Sequence, residues 1–95
     1  MPAWKTEAHL VDHYALHRGQ LRARSIEDFD ASAQETIEIG VRFTYTDRLT
    51  GEYRIGYFHR DSSRFAATTV DGAIVTHFQT DEDYVASLRH STYRD

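Results

Sequence analysis

Three histidines recur at intervals of four near the start of the chain, at His9, His13 and His17. Residues four apart lie on one side of a helix, so the three imidazoles are expected to form one ridge, with His17 nearest to the apolar side. Imidazole titrates close to neutral pH, and the ridge therefore favours proton transfer by a general acid or base. The alternative is that these histidines only pack or face solvent.

The same ridge permits zinc binding, because histidines at positions i and i+4 can place two ring nitrogens on one metal ion. A catalytic zinc site needs a third ligand, which His77 or Asp12 would have to supply. The chain has no His-Glu-x-x-His motif. It also has no cysteine, which excludes disulfides, thiol nucleophiles and cysteine-based metal sites.

A hydroxyl and an aromatic ring stand two residues apart in the last predicted strand. Thr76 and Phe78 share one face of that strand, and His77 lies on the other. If the Thr76 face meets the histidine ridge, the hydroxyl can orient a phosphate and the ring can stack on a base, as in recognition of single-stranded RNA. The alternative is that both residues simply belong to the core face.

Arginine accounts for ten of the eleven basic residues, and its planar guanidinium suits bidentate contacts to phosphate. Arg54 and Arg60 share a face of one predicted strand and Arg64 opens the next, so the three are expected to line one anion-binding sheet surface. The alternative is a set of solvent-exposed charges paired with nearby carboxylates. No phosphate-binding glycine loop, nucleophile elbow or paired-carboxylate motif is visible.

Two helices are predicted in the first forty residues. Helical spacing begins near Thr6 and resumes after Ser25, where Ser25 and Asp28 form a capping box. Gly19 is expected to end the first helix and Gly40 the second, the latter as a left-handed cap.

The rest of the chain predicts a sheet and a closing helix. Alternation with a period of two gives strands over residues 41–46, 53–60, 64–70 and 73–78, the last two joined by an Asp71-Gly72 turn. Thr80 and Asp83 repeat the capping pattern before a short helix. The sequence therefore predicts an α+β fold in one domain, residues 1–95: two N-terminal helices packed on one face of a four-stranded antiparallel sheet, with a short C-terminal helix.

The acidic charge of the chain is local. The formal net charge is −4, which by itself argues against a nucleic-acid partner. Residues 25–38, however, hold five carboxylates and no cation, whereas segments 1–24 and 39–80 are weakly basic. The local charge of the segments that carry the candidate residues therefore permits RNA binding. The acidic helix predicts a surface for a basic protein partner.

No apolar run is long enough for a membrane span, and the first residues lack a signal-peptide core. The expected location is the cytoplasm, without a membrane partner. The oligomeric state is open between monomer and homodimer, since an uncovered edge strand carrying Tyr and Phe is able to pair with a second copy.

Several short motifs together resemble a known group of nucleases. They are His13-x-x-x-His17, Leu21, Ser25-x-x-x-Phe29-x-x-x-Ala33, Tyr57 to Asp61, Arg64-Phe65 and Ile74-x-Thr76-x-Phe78. Over about residues 9–93, the chain resembles the barnase/EndoU/colicin E5-D/RelE-like (BECR) nuclease superfamily, in particular its small phage and polymorphic-toxin members.

The resemblance implies a metal-independent ribonuclease without a cofactor, often acting on tRNA, in which the substrate's 2′-hydroxyl attacks the adjacent phosphate. It implies that His17 is general base or acid, with His13 as its partner and Thr76 as a phosphate-orienting hydroxyl. The substrate contacts that it implies are Phe78 on a base, Arg54 or Arg64 on the developing charge, and Tyr93.

Family toxins are commonly lysine-rich and basic, whereas this chain is acidic and has one lysine, Lys5. This departure leaves an inactive or regulatory relative open. Two further alternatives are a non-catalytic acidic interaction domain, similar to an immunity protein or antitoxin and binding through residues 27–38, and a zinc enzyme. The nuclease hypothesis requires His13 and His17 to lie within about 8 Å of Thr76, the reach of a substrate-bridged hydrogen-bond network.

Overall fold

The computed structural model describes the backbone of residues 2–92 and the side chains of residues 2–89. The strands form one antiparallel sheet in the order β1-β2-β3-β4. The elements are α1 (Glu7–His17), α2 (Ile26–Ile39), β1 (Val41–Thr46), β2 (Tyr53–His59), β3 (Arg64–Thr68), β4 (Ile74–Gln79) and α3 (Glu82–Thr92). The predicted α+β class is confirmed. Within the described residues, no helix combines the length and apolar character needed to cross a membrane.

Each face of the sheet is covered by a different helix. Ser32 on α2 bonds to His77, whereas Val85 and Leu88 on α3 join the core on the opposite face, beside Phe65. α1 lies against β4 and α2. α3 therefore packs on the face opposite α2, so the three helices do not all share one face of the sheet. The reason lies in β3, where every residue from Phe65 to Thr68 is buried, so that both faces of this central strand need cover.

The two N-terminal helices begin at side-chain caps. Thr6 Oγ1 accepts from the His9 amide and Ser25 Oγ accepts from the Asp28 amide, each at 3.1 Å. The predicted capping of α2 by Ser25 is thus confirmed. Serine and threonine favour this position because their oxygens satisfy amides that lack a partner within the helix.

Gly40 ends α2 differently from the prediction. Its backbone is extended, with φ at −74°, and its amide donates to the Thr36 carbonyl at 2.8 Å before the chain enters β1 directly. A Cβ at Gly40 would stand 2.5 Å from that carbonyl and 3.1 Å from the Phe58 amide nitrogen. Glycine is needed here for close backbone approach, not for a left-handed cap.

The β3–β4 turn lies where Asp71-Gly72 predicts it, but β3 ends two residues earlier than predicted, at Thr68, and β4 is displaced by one residue, to Ile74–Gln79. Thr69 donates its amide to the Ala73 carbonyl at 2.8 Å, and Gly72 has a φ of +95°, which glycine adopts at little cost. The turn thus takes up residues 69–73. A register shift between Ala67 and Thr68 marks a bulge in the same pair of strands.

Asp81, not Thr80, caps α3. Its Oδ1 accepts from the Tyr84 amide at 3.0 Å. Thr80 is held one residue earlier, because its amide donates to the Ser63 carbonyl at 2.9 Å. The predicted cap is therefore displaced by one residue.

A segment before α1 covers part of the β4 edge. Ile74 donates its amide to the Ala3 carbonyl, and the Lys5 amide donates to Ile74, both at 2.8 Å. The Trp4 indole donates to Asp30 Oδ1 at 2.9 Å and so ties this segment to α2. β1 forms the other edge of the sheet.

Candidate functional site

A cleft of about 400 Å³ lies beside the histidine ridge, between α1, the sheet, the β1–β2 turn and α3. Its lining residues are His9, His13, Tyr45, Asp47, Arg48, Leu49, Arg54, Phe65, Val75, Thr76, Phe78, Tyr84, Ser87 and Leu88. Four residues predicted from the sequence meet in it: His13, Thr76, Phe78 and Arg54.

A direct contact joins the histidine ridge to the strand. His13 Nδ1 lies 3.2 Å from Thr76 Oγ1, within hydrogen-bond distance. The His17 ring centroid is 5.7 Å from that of His13 and 5.4 Å from that of Phe78. The Thr76 face of β4 therefore meets α1, and His13 satisfies the proximity to Thr76 that the nuclease hypothesis requires.

The three imidazoles of the ridge stack along α1. Ring centroids are 6.4 Å apart between His9 and His13, and neighbouring rings are nearly parallel. His9 Nδ1 lies 2.6 Å from Thr6 Oγ1, and His17 Nδ1 lies 3.2 Å from the Gln20 side-chain oxygen. Each ring is thus oriented through Nδ1.

The surroundings of His13 keep its imidazole neutral. Burial lowers its pKa below the usual 6.5, and the neighbouring His17 and His9 lower it further. Asp12 acts in the opposite direction and is the weakest of these influences. A neutral imidazole at physiological pH is able to accept a proton.

Two tyrosines contribute protonated hydroxyls to the cleft. Burial raises the pKa of Tyr45 strongly and that of Tyr84 as well, so both stay neutral donors near pH 7. The Tyr84 ring stands edge-on to Phe78, with centroids 5.5 Å apart. Neither tyrosine was predicted as a site residue, because Tyr45 lies within the alternating pattern of residues 41–46 and Tyr84 within the short closing helix.

The arginines of the cleft differ in their pairing. Arg54 lies 2.9 Å from Glu52 and 3.7 Å from Asp47, which offset its charge, and its Nε is buried with no hydrogen-bond partner in the described part of the chain. Arg48 donates to the Ser87 carbonyl at 3.1 Å. Among the side chains that the structure describes, no carboxylate pairs with Arg48. Arg48 was not among the site residues predicted from the sequence.

The expected surface of three arginines does not form. Arg54 faces the cleft, whereas Arg64 pairs in register with His59, which points to the opposite face of β2. Arg60 lies beyond the end of β2, 2.6 Å from Glu82 on α3. Strand alternation thus places Arg64 outside the cleft, apart from the other predicted substrate contacts Arg54 and Phe78.

Arg64 belongs instead to a network beneath α2. Its guanidinium donates to Glu35 at 2.6 Å and to Ser32 Oγ at 3.1 Å. Ser32 Oγ lies 2.8 Å from Nε2 of the fully buried His77, whose Nδ1 lies 3.0 Å from the Phe65 carbonyl. Burial is the main cause that lowers the pKa of His77 to about 4.

This network also bears on the zinc alternative. Both ring nitrogens of His77 are engaged on the face opposite His13, so His77 cannot complete a metal site with the ridge. Across the described residues, no group of three or more His, Asp or Glu side chains is arranged to hold a metal ion.

Tyr93, the remaining predicted substrate contact, lies outside the described residues.

The acidic helix uses part of its charge within the chain. Asp30 accepts from Trp4, and Glu35 binds Arg64. Glu27 and Glu38 remain exposed. The acidic surface offered to a basic partner is accordingly smaller than the sequence suggests.

Comparisons with protein-family models, with curated proteins and with solved structures found no match.

Proposed function

We propose that the chain is a metal-independent ribonuclease that cleaves RNA by attack of the 2′-hydroxyl on the adjacent phosphate. The observation that carries the proposal is the 3.2 Å contact between His13 and Thr76 at the wall of a cleft that also holds an arginine and aromatic rings. A proton acceptor, a hydroxyl, a cation and a stacking ring are the groups that this reaction needs.

Proton removal is the role that suits His13. When Nδ1 carries the proton and donates it to Thr76 Oγ1, Nε2 is free to accept the proton of the 2′-hydroxyl. The 2′-oxygen then forms a bond to phosphorus as the bond to the 5′-oxygen breaks. The lowered pKa of His13 supports this role, since the neutral form predominates at pH 7.

Proton donation to the leaving 5′-oxygen falls to His17 in the same proposal. Its ring stacks on that of His13, with centroids 5.7 Å apart, so in this proposal a phosphate beside the ridge contacts the edges of both rings. Two histidines next to one phosphate allow one to take a proton while the other gives one.

Charge stabilisation and base binding involve the other walls of the cleft. Arg48 takes the developing charge in this proposal, because no described carboxylate pairs with it, and the hydroxyls of Tyr45 and Tyr84 add neutral donors. Phe78 offers a ring for stacking a base. A cleft of about 400 Å³ suits one nucleotide. Action on tRNA and a toxin-type role belong to the proposal through the BECR resemblance.

Incubation of total RNA with purified protein in EDTA tests the proposal. We expect the wild-type protein to cleave RNA and His13→Gln to lose activity by roughly 10²-fold or more, the usual contribution of a general base. His59→Gln is the matched control, because His59 lies outside the cleft and contacts Ser62. It should retain wild-type activity.

Equal cleavage by wild type and His13→Gln would indicate a contaminating nuclease and contradict the proposal. Loss of activity in EDTA would favour a metal enzyme instead. Circular dichroism melting of each variant separates a lost catalytic group from a lost fold. Absence of cleavage by any form, with binding of a basic protein to α2, would favour the acidic interaction domain.

A further inference from the structure

A second cavity lies on the α3 side of the sheet, away from the histidine ridge. It measures about 510 Å³ and opens between the start of β1 and α3. Its walls include Phe43, Phe58 and Val85, which belong to the hydrophobic core, and Val41, which is 69% exposed at the rim. We refer to this cavity as the β1–α3 groove.

The charged groups at the rim of the β1–α3 groove are unevenly matched. Arg60 and Glu82 pair with each other at 2.6 Å. Arg89 lies with its guanidinium carbon 5.6 Å from the centroid of the Phe43 ring. Among residues 2–89, whose side chains are described, no carboxylate pairs with Arg89. Within that part of the chain, Arg89 is thus a cation beside the apolar groove without a carboxylate partner.

We propose that the β1–α3 groove binds a monomeric amphipathic carboxylate, with its hydrocarbon chain against Phe58 and Val85 and its carboxylate on Arg89. Small-molecule sites of this size are mostly apolar and fix their ligand with few polar groups. A guanidinium binds a carboxylate through two parallel hydrogen bonds, and this one is already held over an aromatic face. The small side chain of Ala86 leaves room at the α3 wall.

The contributions of the hydrocarbon chain and the head group can be separated with three ligands that each carry an unbranched ten-carbon chain. Decanoate, decanol and decyltrimethylammonium share the hydrocarbon and differ in charge. We expect decanoate to bind most tightly, below its micelle concentration, and to shift the NMR signals of Phe43, Val85 and Arg89. Octanoate should bind more weakly by about fourfold per missing methylene, the effect of leaving one such group in water.

Two variants on α3 test the site itself. Arg89→Gln should weaken decanoate binding by about fivefold and leave decanol binding unchanged, since it removes only the charge. Ala86→Phe should fill the groove and weaken all three ligands. Arg48→Gln is the matched control, because Arg48 lines the histidine cleft on the other side of α3 and should leave binding unaffected.

Equal affinity for the three head groups would overturn the proposal, as would an Arg89→Gln variant that binds decanoate like wild type. NMR shifts confined to residues of the histidine cleft, or no binding of decanoate at all, would also overturn the proposal. Sedimentation of the free protein addresses the other occupant: a dimer whose interface buries Val41 and Phe58 would assign the groove to a second copy. The ligand-binding measurements do not depend on ribonuclease activity, so the groove proposal and the ribonuclease proposal are tested independently.

Discussion

The histidines of this chain differ in what their ring nitrogens contact. His77 has both nitrogens engaged inside the protein, to Ser32 and to the Phe65 carbonyl, and is fully buried. His13 has one nitrogen on Thr76 and is half-buried at the wall of a cleft. The same side chain thus serves packing in one place and is available for proton transfer in the other.

His77 should make the fold sensitive to acid. The folded chain lowers the pKa of His77 from 6.5 to about 4, so the unfolded chain binds a proton more readily between these values. Stability is therefore greatest above pH 6.5 and falls as the pH drops towards 4, by about 3 kcal/mol from this residue. Urea denaturation at a series of pH values measures the loss.

His77→Gln provides the comparison. Glutamine keeps a donor and an acceptor but does not titrate, so the variant should lose less stability than wild type between pH 6.5 and 4. Identical pH dependence in the two proteins would contradict the role assigned to His77. The variant's stability at pH 7 serves as the reference for each curve.

The pKa of His13 should respond to its neighbours in opposite directions. His17→Gln removes a like charge and is expected to raise that pKa, although burial, the larger cause, remains. Asp12→Asn removes an opposite charge and is expected to lower it. Titration of the His13 ring protons by NMR measures both shifts, and no change in either variant would show that the ridge is not electrostatically coupled.

At the scale of elements, Thr80 and Asp81 are the two adjacent candidates for the N-cap of α3. Asp81→Ala should destabilise the fold by about 1 kcal/mol, because Asp81 Oδ1 satisfies the Tyr84 amide. Thr80→Ala should cost much less, since the structure uses the Thr80 backbone amide and not its side chain in that cap. Thermal melts of the two variants give the comparison, and an equal or reversed order would contradict the assignment.

Local patterns account for most of the elements. The period of two predicted all four strands, and the oxygen of Ser25 predicted the start of α2, because both depend on neighbours within a few residues. Helix placement across the sheet did not follow from the sequence. It depends on Phe65 to Thr68 being buried on both sides, a consequence of tertiary packing.

The candidate site was predictable only where two elements face each other in the expected way. His13 and Thr76 meet because α1 lies along β4. Arg64 was misplaced because its face depends on register with His59, which a turn length alone does not determine. Arg48 lies in a turn, where no periodicity indicates direction.

At the scale of the whole molecule, the sheet separates two surfaces of different character. One face carries the acidic α2 and its internal network around His77. The other carries α3, with the histidine cleft on one side of it and the β1–α3 groove on the other. A net charge of −4 is therefore compatible with an RNA site, since five of the carboxylates lie in residues 25–38.

The most direct test of the central claim compares RNA with its 2′-O-methyl copy, in EDTA, with the reaction products identified by mass spectrometry. Attack by the 2′-hydroxyl predicts that only the RNA is cleaved, that the new ends carry a 2′,3′-cyclic phosphate, and that His13→Gln abolishes both. Cleavage of the 2′-O-methyl strand, or no cleavage of RNA by the folded wild-type protein, would contradict the ribonuclease proposal.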